Sequence, residues 1–183
     1  PIRLGKNGYE QNTYIRIAVR KKKYFKKMIS CLIQLSNLNK SISYQDKINW
    51  INIDEIKLHE EVIVSSANKL KKYLISCMAK DGFTIPSIIL CSKTKTLIDG
   101  HHRLYCLKKL GFKLIPCTMI NYEDENILVN PNNLLMTKDI VVNTARKDKL
   151  LEPKSTEHKI IINKQIFPIN ILSKIVFMHS YKN

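Results

Sequence analysis

Residues 97–111, Leu-Ile-Asp-Gly-His-His-Arg-Leu-Tyr-Cys-Leu-Lys-Lys-Leu-Gly, constrain the fold of this chain more than any other stretch. A short apolar run ends at Asp99-Gly100, then apolar residues recur at Leu104, Leu107 and Leu110, with Gly111 just past the last. That spacing predicts strand, tight turn, helix and C-terminal stop. Asp99, Gly100, His101, His102 and Arg103 then lie at a helix N-terminus, where unpaired backbone N–H groups and the positive end of the macrodipole favour an anion. Arg103 can donate bidentately, either imidazole can donate or carry a proton, and Gly100 lets the backbone approach a ligand closely. A metal held jointly by His101 and His102 is disfavoured, because neighbouring helical positions diverge by about 100°.

The chain of 183 residues is long enough for one ordinary domain, and 44% hydrophobic residues supply a core. A formal charge of +16 favours anionic substrates or polyanionic partners, although abundant isoleucine, lysine and asparagine also follow from AT-biased coding. The five cysteines, Cys31, Cys77, Cys91, Cys106 and Cys117, are scattered singly. They read as reduced, mostly buried thiols of a cytoplasmic protein, neither a disulfide framework nor a zinc site. No apolar run approaches the roughly 18 to 20 residues that span a bilayer. The chain begins with Pro1 and not Met, so its true start stays open.

Residues 1–44 read as a basic N-terminal extension, helical or poorly ordered. Its segment 14–33 has a basic middle and apolar flanks, a pattern suited to a solvated extension and, as the less favoured reading, to a nucleic-acid or anionic-membrane contact. The domain proper is expected over residues 45–160, with residues 161–183 a tail of open role. Within it, residues 48–56 alternate as a half-buried strand, and 58–62 (Leu-His-Glu-Glu-Val) form a loop with two carboxylates, Glu60 and Glu61. Ser65 or Ser66 is expected to cap a helix striped by Leu70, Tyr73, Leu74 and Cys77. Strands follow at 86–91, 96–98 and 113–120, the last after the helix that starts at His101, with a short strand at 127–129. Thr137 caps a further helix, which Pro153 ends. Lys154, Ser155, Thr156 and His158 then make a second polar cluster on one loop. The order implies a small α/β (α+β) unit and not a regular βαβ array; neither G-x-G-x-x-G nor a Walker loop is present.

These motifs resemble a known superfamily. The strand, Asp-Gly-His-His-Arg corner and following helix and strand look like the ParB/sulfiredoxin-like fold, which implies a small mixed sheet with flanking helices and whose members hold nucleotide phosphates with a glycine and an arginine at this corner. Together with Leu-His-Glu-Glu-Val upstream and Pro-Lys-Ser-Thr-Glu-His downstream, they are similar to the free L-serine kinases, including those of siderophore precursor pathways. The resemblance spans about residues 48–160. Sulfiredoxins carry a reactive cysteine at the corner, where this chain has His101. Chromosome-segregation ParB proteins carry a glutamate-arginine pair there and a downstream helix-turn-helix domain.

The resemblance implies phosphoryl transfer from ATP or ADP to the hydroxyl of free L-serine, giving O-phospho-L-serine. Such catalysis is mostly alignment and charge neutralisation. Glu60 or Glu61 would orient or deprotonate the hydroxyl, and Asp99 would hold Mg²⁺ or the substrate. Gly100, His101, His102 and Arg103 would cradle the donor phosphates, while Lys154, Ser155, Thr156 and His158 would close over the transferred group or the serine carboxylate. Where relatives often have arginine, this chain has Glu157, which keeps a second reading open: a nucleotide-binding regulator without turnover. A ParB-like nucleic-acid-binding protein is the other alternative, sustained by the charge.

Overall fold

Why the segment after residue 97 turns so sharply is visible in its neighbours. The computed structural model describes residues 47–79, 82–130, 135–147 and 149–179, which belong to one compact unit, Ser43–Asn183. The expected basic extension, residues 1–44, and the nucleic-acid or membrane contact read for it lie outside the described residues.

Four strands form the central sheet: β1 (Asn49–Asn52), β3 (Ile88–Cys91), β4 (Leu97–Asp99) and β5 (Leu114–Ile120), in the order β1-β5-β3-β4. β3 and β5 run parallel, while β1 pairs with β5 and β4 with β3 antiparallel, so the sheet is mixed. β3 is buried along its whole length, as its unbroken apolar sequence requires of a strand covered on both faces. Helices α1 (Val64–Met78) and α2 (His101–Lys109) pack against each other and on the sheet. Ala67, Leu74, Leu104 and Leu107 meet Ile88, Leu90, Leu97 and Ile115 in one apolar core. The Cys106 thiol donates to the Ala67 carbonyl at 3.1 Å, fastening one helix to the other.

Two smaller sheets flank this layer. β2 (Gly82–Pro86) pairs antiparallel with β9 (Ile175–His179), and β6 (Ile127–Val129), β7 (His158–Ile162) and β8 (Gln165–Pro168) form a three-stranded antiparallel sheet. Helix α3 (Lys138–Arg146) starts, as the sequence predicts, at a Thr137 side chain that accepts the Ile140 amide at 3.3 Å. The expected small mixed sheet with flanking helices is thus what the chain forms.

Four local expectations are corrected. The first strand stops at Asn52, because Ile53–Glu55 winds into a 3-10 turn capped by the Asn52 side chain. Ser65 and Ser66 do not cap α1: the helix begins at Val64, and the Ile63 amide ahead of it donates to His102 Nε2 at 3.2 Å. A tertiary partner there replaces the local cap. The apolar run expected at 86–91 is split at Ser87, whose amide donates to Lys174 O at 2.7 Å and whose hydroxyl bonds Thr118 and the Lys174 amide. β2 peels away at that point to join β9. Pro153 ends no helix, since α3 stops at Arg146; it lies instead in a turn whose next residue, Lys154, has φ 64°.

Candidate active site

At the corner that leads into α2, Gly100 is the N-cap with φ +109° and no side-chain cap bond. A Cβ here would lie 2.7 Å from Ile88 Cγ2 and 3.1 Å from Arg103 Nη2, so only glycine lets β4 turn this tightly against β3. With no side chain to cap them, the first-turn amides of α2 are in a position that suits an anion. Arg103 closes the corner from within: Nη1 donates to the carbonyls of Pro86 at 3.0 Å and Ser87 at 2.9 Å, and Nη2 pairs with Asp99. Three of its donors are therefore engaged, and its side chain is only 15% exposed. Burial lowers the guanidinium pKa and Asp99 opposes that, so the cation persists. Arg103 first bolts the corner together and offers a ligand only its remaining donors. Gly100→Ala is expected to cost on the order of 2 kcal/mol through backbone strain and the Ile88 clash. Denaturant unfolding that leaves the midpoint unmoved would contradict this account of the corner.

The second and third clusters are stitched to each other by backbone. Leu151 N–H donates to His59 O at 2.8 Å and Glu61 N–H to Leu151 O at 3.0 Å, a short parallel bridge between segments far apart in sequence. Between these bonds Glu60 turns inward and is 8% exposed. Its Oε1 accepts the Lys154 amide at 2.7 Å; its Oε2 accepts the Thr156 amide at 3.0 Å and the Thr156 hydroxyl at 2.7 Å. A carboxylate has about four acceptor positions, so one is left for a ligand. Asn130 grips the same loop from outside, donating to Ser155 O at 2.7 Å and accepting the Glu157 amide.

Behind the loop lie three buried histidines. The His59 ring stands edge-on to His101 at 4.7 Å and to His158 at 5.9 Å between centroids. His59 Nε2 meets Thr156 Oγ1 at 2.9 Å, and His158 Nε2 meets the Tyr122 hydroxyl at 2.8 Å. Burial is the main cause that lowers all three pKa values, opposed at His59 by the Glu60 carboxylate. The other imidazoles and Arg103 push His101 well down, and His158 falls to about 3. Burial likewise raises the Tyr122 hydroxyl. These are neutral rings, and among the described residues no group of three His, Cys, Asp or Glu side chains is disposed to hold a metal.

One cleft of about 560 Å³, well within the range of small-molecule sites, collects most of the residues singled out from sequence. Glu60, Asp99, Gly100, His101, His102, Arg103, Lys154, Thr156 and His158 all line it. Glu61 and Ser155 do not: Glu61 is exposed on the opposite side of its strand-like loop, and the Ser155 hydroxyl donates to Glu152 O. Glu157 lines the rim with its carboxylate paired to Lys159 Nζ at 3.3 Å. The cleft also has a wall that sequence reasoning missed, formed by Pro168, Ile169, Asn170 and Ser173. His101 Nε2 and Ser173 Oγ are buried on this lining with no hydrogen-bond partner among the described residues. No motif marks the Pro168–Ser173 wall or Asn130, whereas His59 lies inside the Leu-His-Glu-Glu-Val motif, beside the carboxylates that its pattern singles out.

Asp99 fits Mg²⁺ only as a single ligand, because one of its oxygens is held by Arg103. That suffices for an ion bound mainly through nucleotide phosphates and water. No helix among the described residues is long and apolar enough to cross a membrane.

No family model matches the sequence. A ParB-like protein of Sulfolobus acidocaldarius is 32% identical over 93 residues, covering 51% of this chain and 44% of that protein. An ATP-dependent L-serine kinase of Staphylothermus marinus is 32% identical over 77 residues, 42% of this chain and 31% of the kinase. Another ATP-dependent L-serine kinase, from Desulfurococcus mucosus, is 27% identical over 100 residues, 53% and 39% of the two chains. The matched stretch thus spans less than half the length of each relative. The resemblance carried by the three motifs is borne out: the chain has homologues that bear the ParB-like name and the serine kinase name.

Proposed function

We propose that this chain is the nucleotide-binding, catalytic part of a kinase that moves a phosphoryl group from ATP or ADP to the hydroxyl of free L-serine, giving O-phospho-L-serine. The observation that carries this reading is a near-buried carboxylate, Glu60, on the same cleft as an uncapped helix N-terminus. Phosphoryl transfer asks a protein for little else: a place for phosphate charge, a group that orients the acceptor and a means of aligning the two. Relatives named as ATP-dependent L-serine kinases supply the substrate class.

In this reading the amides of the first α2 turn, with His102 and the spare donors of Arg103, bind the donor phosphates. Asp99 is the residue that would hold Mg²⁺, which would supply charge neutralisation for the phosphoryl transfer. Lys154, on the cleft rim, adds a cation near the loop that faces the corner. The free acceptor position on Glu60 takes the serine hydroxyl and orients it, then accepts its proton as the new P–O bond forms and the donor's terminal P–O bond breaks, releasing ADP from ATP or AMP from ADP. Glu157 does not cancel this field, because Lys159 offsets its charge and its side chain is largely in solvent. The proposed catalytic domain, residues 45–160, takes its far cleft wall from the segment that follows it.

Purified protein given Mg²⁺, L-serine and either ATP or ADP is expected to produce O-phosphoserine, read by phosphorus NMR or mass spectrometry. If neither nucleotide yields product while one of the named kinases does under the same conditions, the proposal fails.

A further inference from the structure

We infer that His59 and Thr156 form a fixed relay that aims Glu60 into the cleft, which makes His59 a positioning residue for the phosphoryl acceptor. This deepens the kinase reading and rests on it. Three residues carry the argument. The Thr156 hydroxyl has one proton, and at 2.7 Å from Glu60 Oε2 that proton goes to the carboxylate, the stronger, charged acceptor. The same oxygen lies 2.9 Å from His59 Nε2. With its proton committed, Thr156 Oγ1 can only accept there, so His59 must present Nε2–H and keep Nδ1 bare. The chain therefore runs one way, from His59 Nε2–H to Thr156 O–H to Glu60.

Its direction decides what it does. Since Nε2 already carries a proton, no proton released at Glu60 can travel back through Thr156 to the ring. The relay instead sets orientation: His59 is fully buried, and its backbone carbonyl is held by the Leu151 amide at 2.8 Å. A fully buried ring fixes Thr156, and Thr156 fixes both the carboxylate and, through the hydrogen bond its amide donates to Glu60, the loop that lines the cleft. The last acceptor position of Glu60 then points where a hydroxyl can use it.

The inference is tested in two ways that fail separately. Nitrogen-detected NMR of His59 in the full chain should show a neutral ring protonated at Nε2; the Nδ1–H tautomer would overturn the relay whether or not the protein has kinase activity. In turnover assays Thr156→Val and His59→Phe should each lower kcat about 10–100-fold while the KM for nucleotide changes little, and Thr156→Ser should recover most of the loss. The double variant should be no slower than Thr156→Val alone, because the two residues act through one chain. Additive losses, or a Thr156→Ser variant as slow as Thr156→Val, would refute the relay. A wild-type protein without turnover would sink the kinase reading and leave the NMR result to decide the relay.

Discussion

Glu60→Gln is expected to reduce the rate of serine phosphorylation by about 10²–10⁴-fold, the usual worth of a positioned general base. The hydrogen bonds around Glu60 are the reason to expect so large an effect from so small a change in shape. Glu60 accepts from the Lys154 amide, the Thr156 amide and the Thr156 hydroxyl. A glutamine has one carbonyl oxygen and would turn its NH₂ toward at least one of these donors. The loop therefore loosens as well, at a cost of about 2–4 kcal/mol for charge-assisted bonds lost from a nearly buried site. Glu61→Gln is the internal control: its side chain is exposed and off the cleft, so its rate should stay within about twofold of wild type. Steady-state kinetics on the pair, with nucleotide binding measured by calorimetry, separates a damaged site from an unfolded one. Near-wild-type rates in both variants would remove the carboxylate from the mechanism.

Acid should destabilise this fold early and steeply, because neutral imidazoles are packed behind the cleft. In the unfolded chain a histidine takes up its proton near pH 6.5, whereas burial holds His158 to about 3 and lowers His59 and His101 as well. Below pH 6.5 the unfolded chain binds protons that the folded chain refuses, so stability falls as pH falls and is fully present only above that value. For His158 alone the loss between pH 7 and pH 5 comes to about 2 kcal/mol, with His59 and His101 adding in the same direction. Other charges share this pocket: Glu60 beside His59 opposes the effect, while Arg103 and Lys138 reinforce it. Denaturant melts at pH 7 and pH 5 measure the difference. His158→Gln should flatten the pH dependence, and an identical midpoint at both pH values would show that the rings are not held neutral.

The corner at Asp99-Gly100 was legible because it is local. A strand ending, a glycine and a helical stripe lie within fifteen residues, and the physics of a helix N-terminus does not depend on what surrounds it. The Thr137 cap was legible for the same reason, one side chain bonding an amide three residues on. The Ser65 and Ser66 caps failed because a distant imidazole took over that end of the helix. The split at Ser87 could not be seen, since it depends on Lys174, far along the chain. Glu60 and Glu61 were equivalent as letters; the bridge to Leu151 turned one inward and the other out.

Sequence alone therefore determined the strand-glycine-helix corner, the three polar clusters and the small α/β order, all of which follow from spacing and local backbone preference. Only the tertiary structure decided that the clusters share one cleft, that Arg103 spends most of its donors inside the protein, and that Pro168–Ser173 closes the far wall. The reason is that hydrogen bonds across tens of residues depend on how sheets stack and loops meet, and no periodicity along the chain encodes those distances.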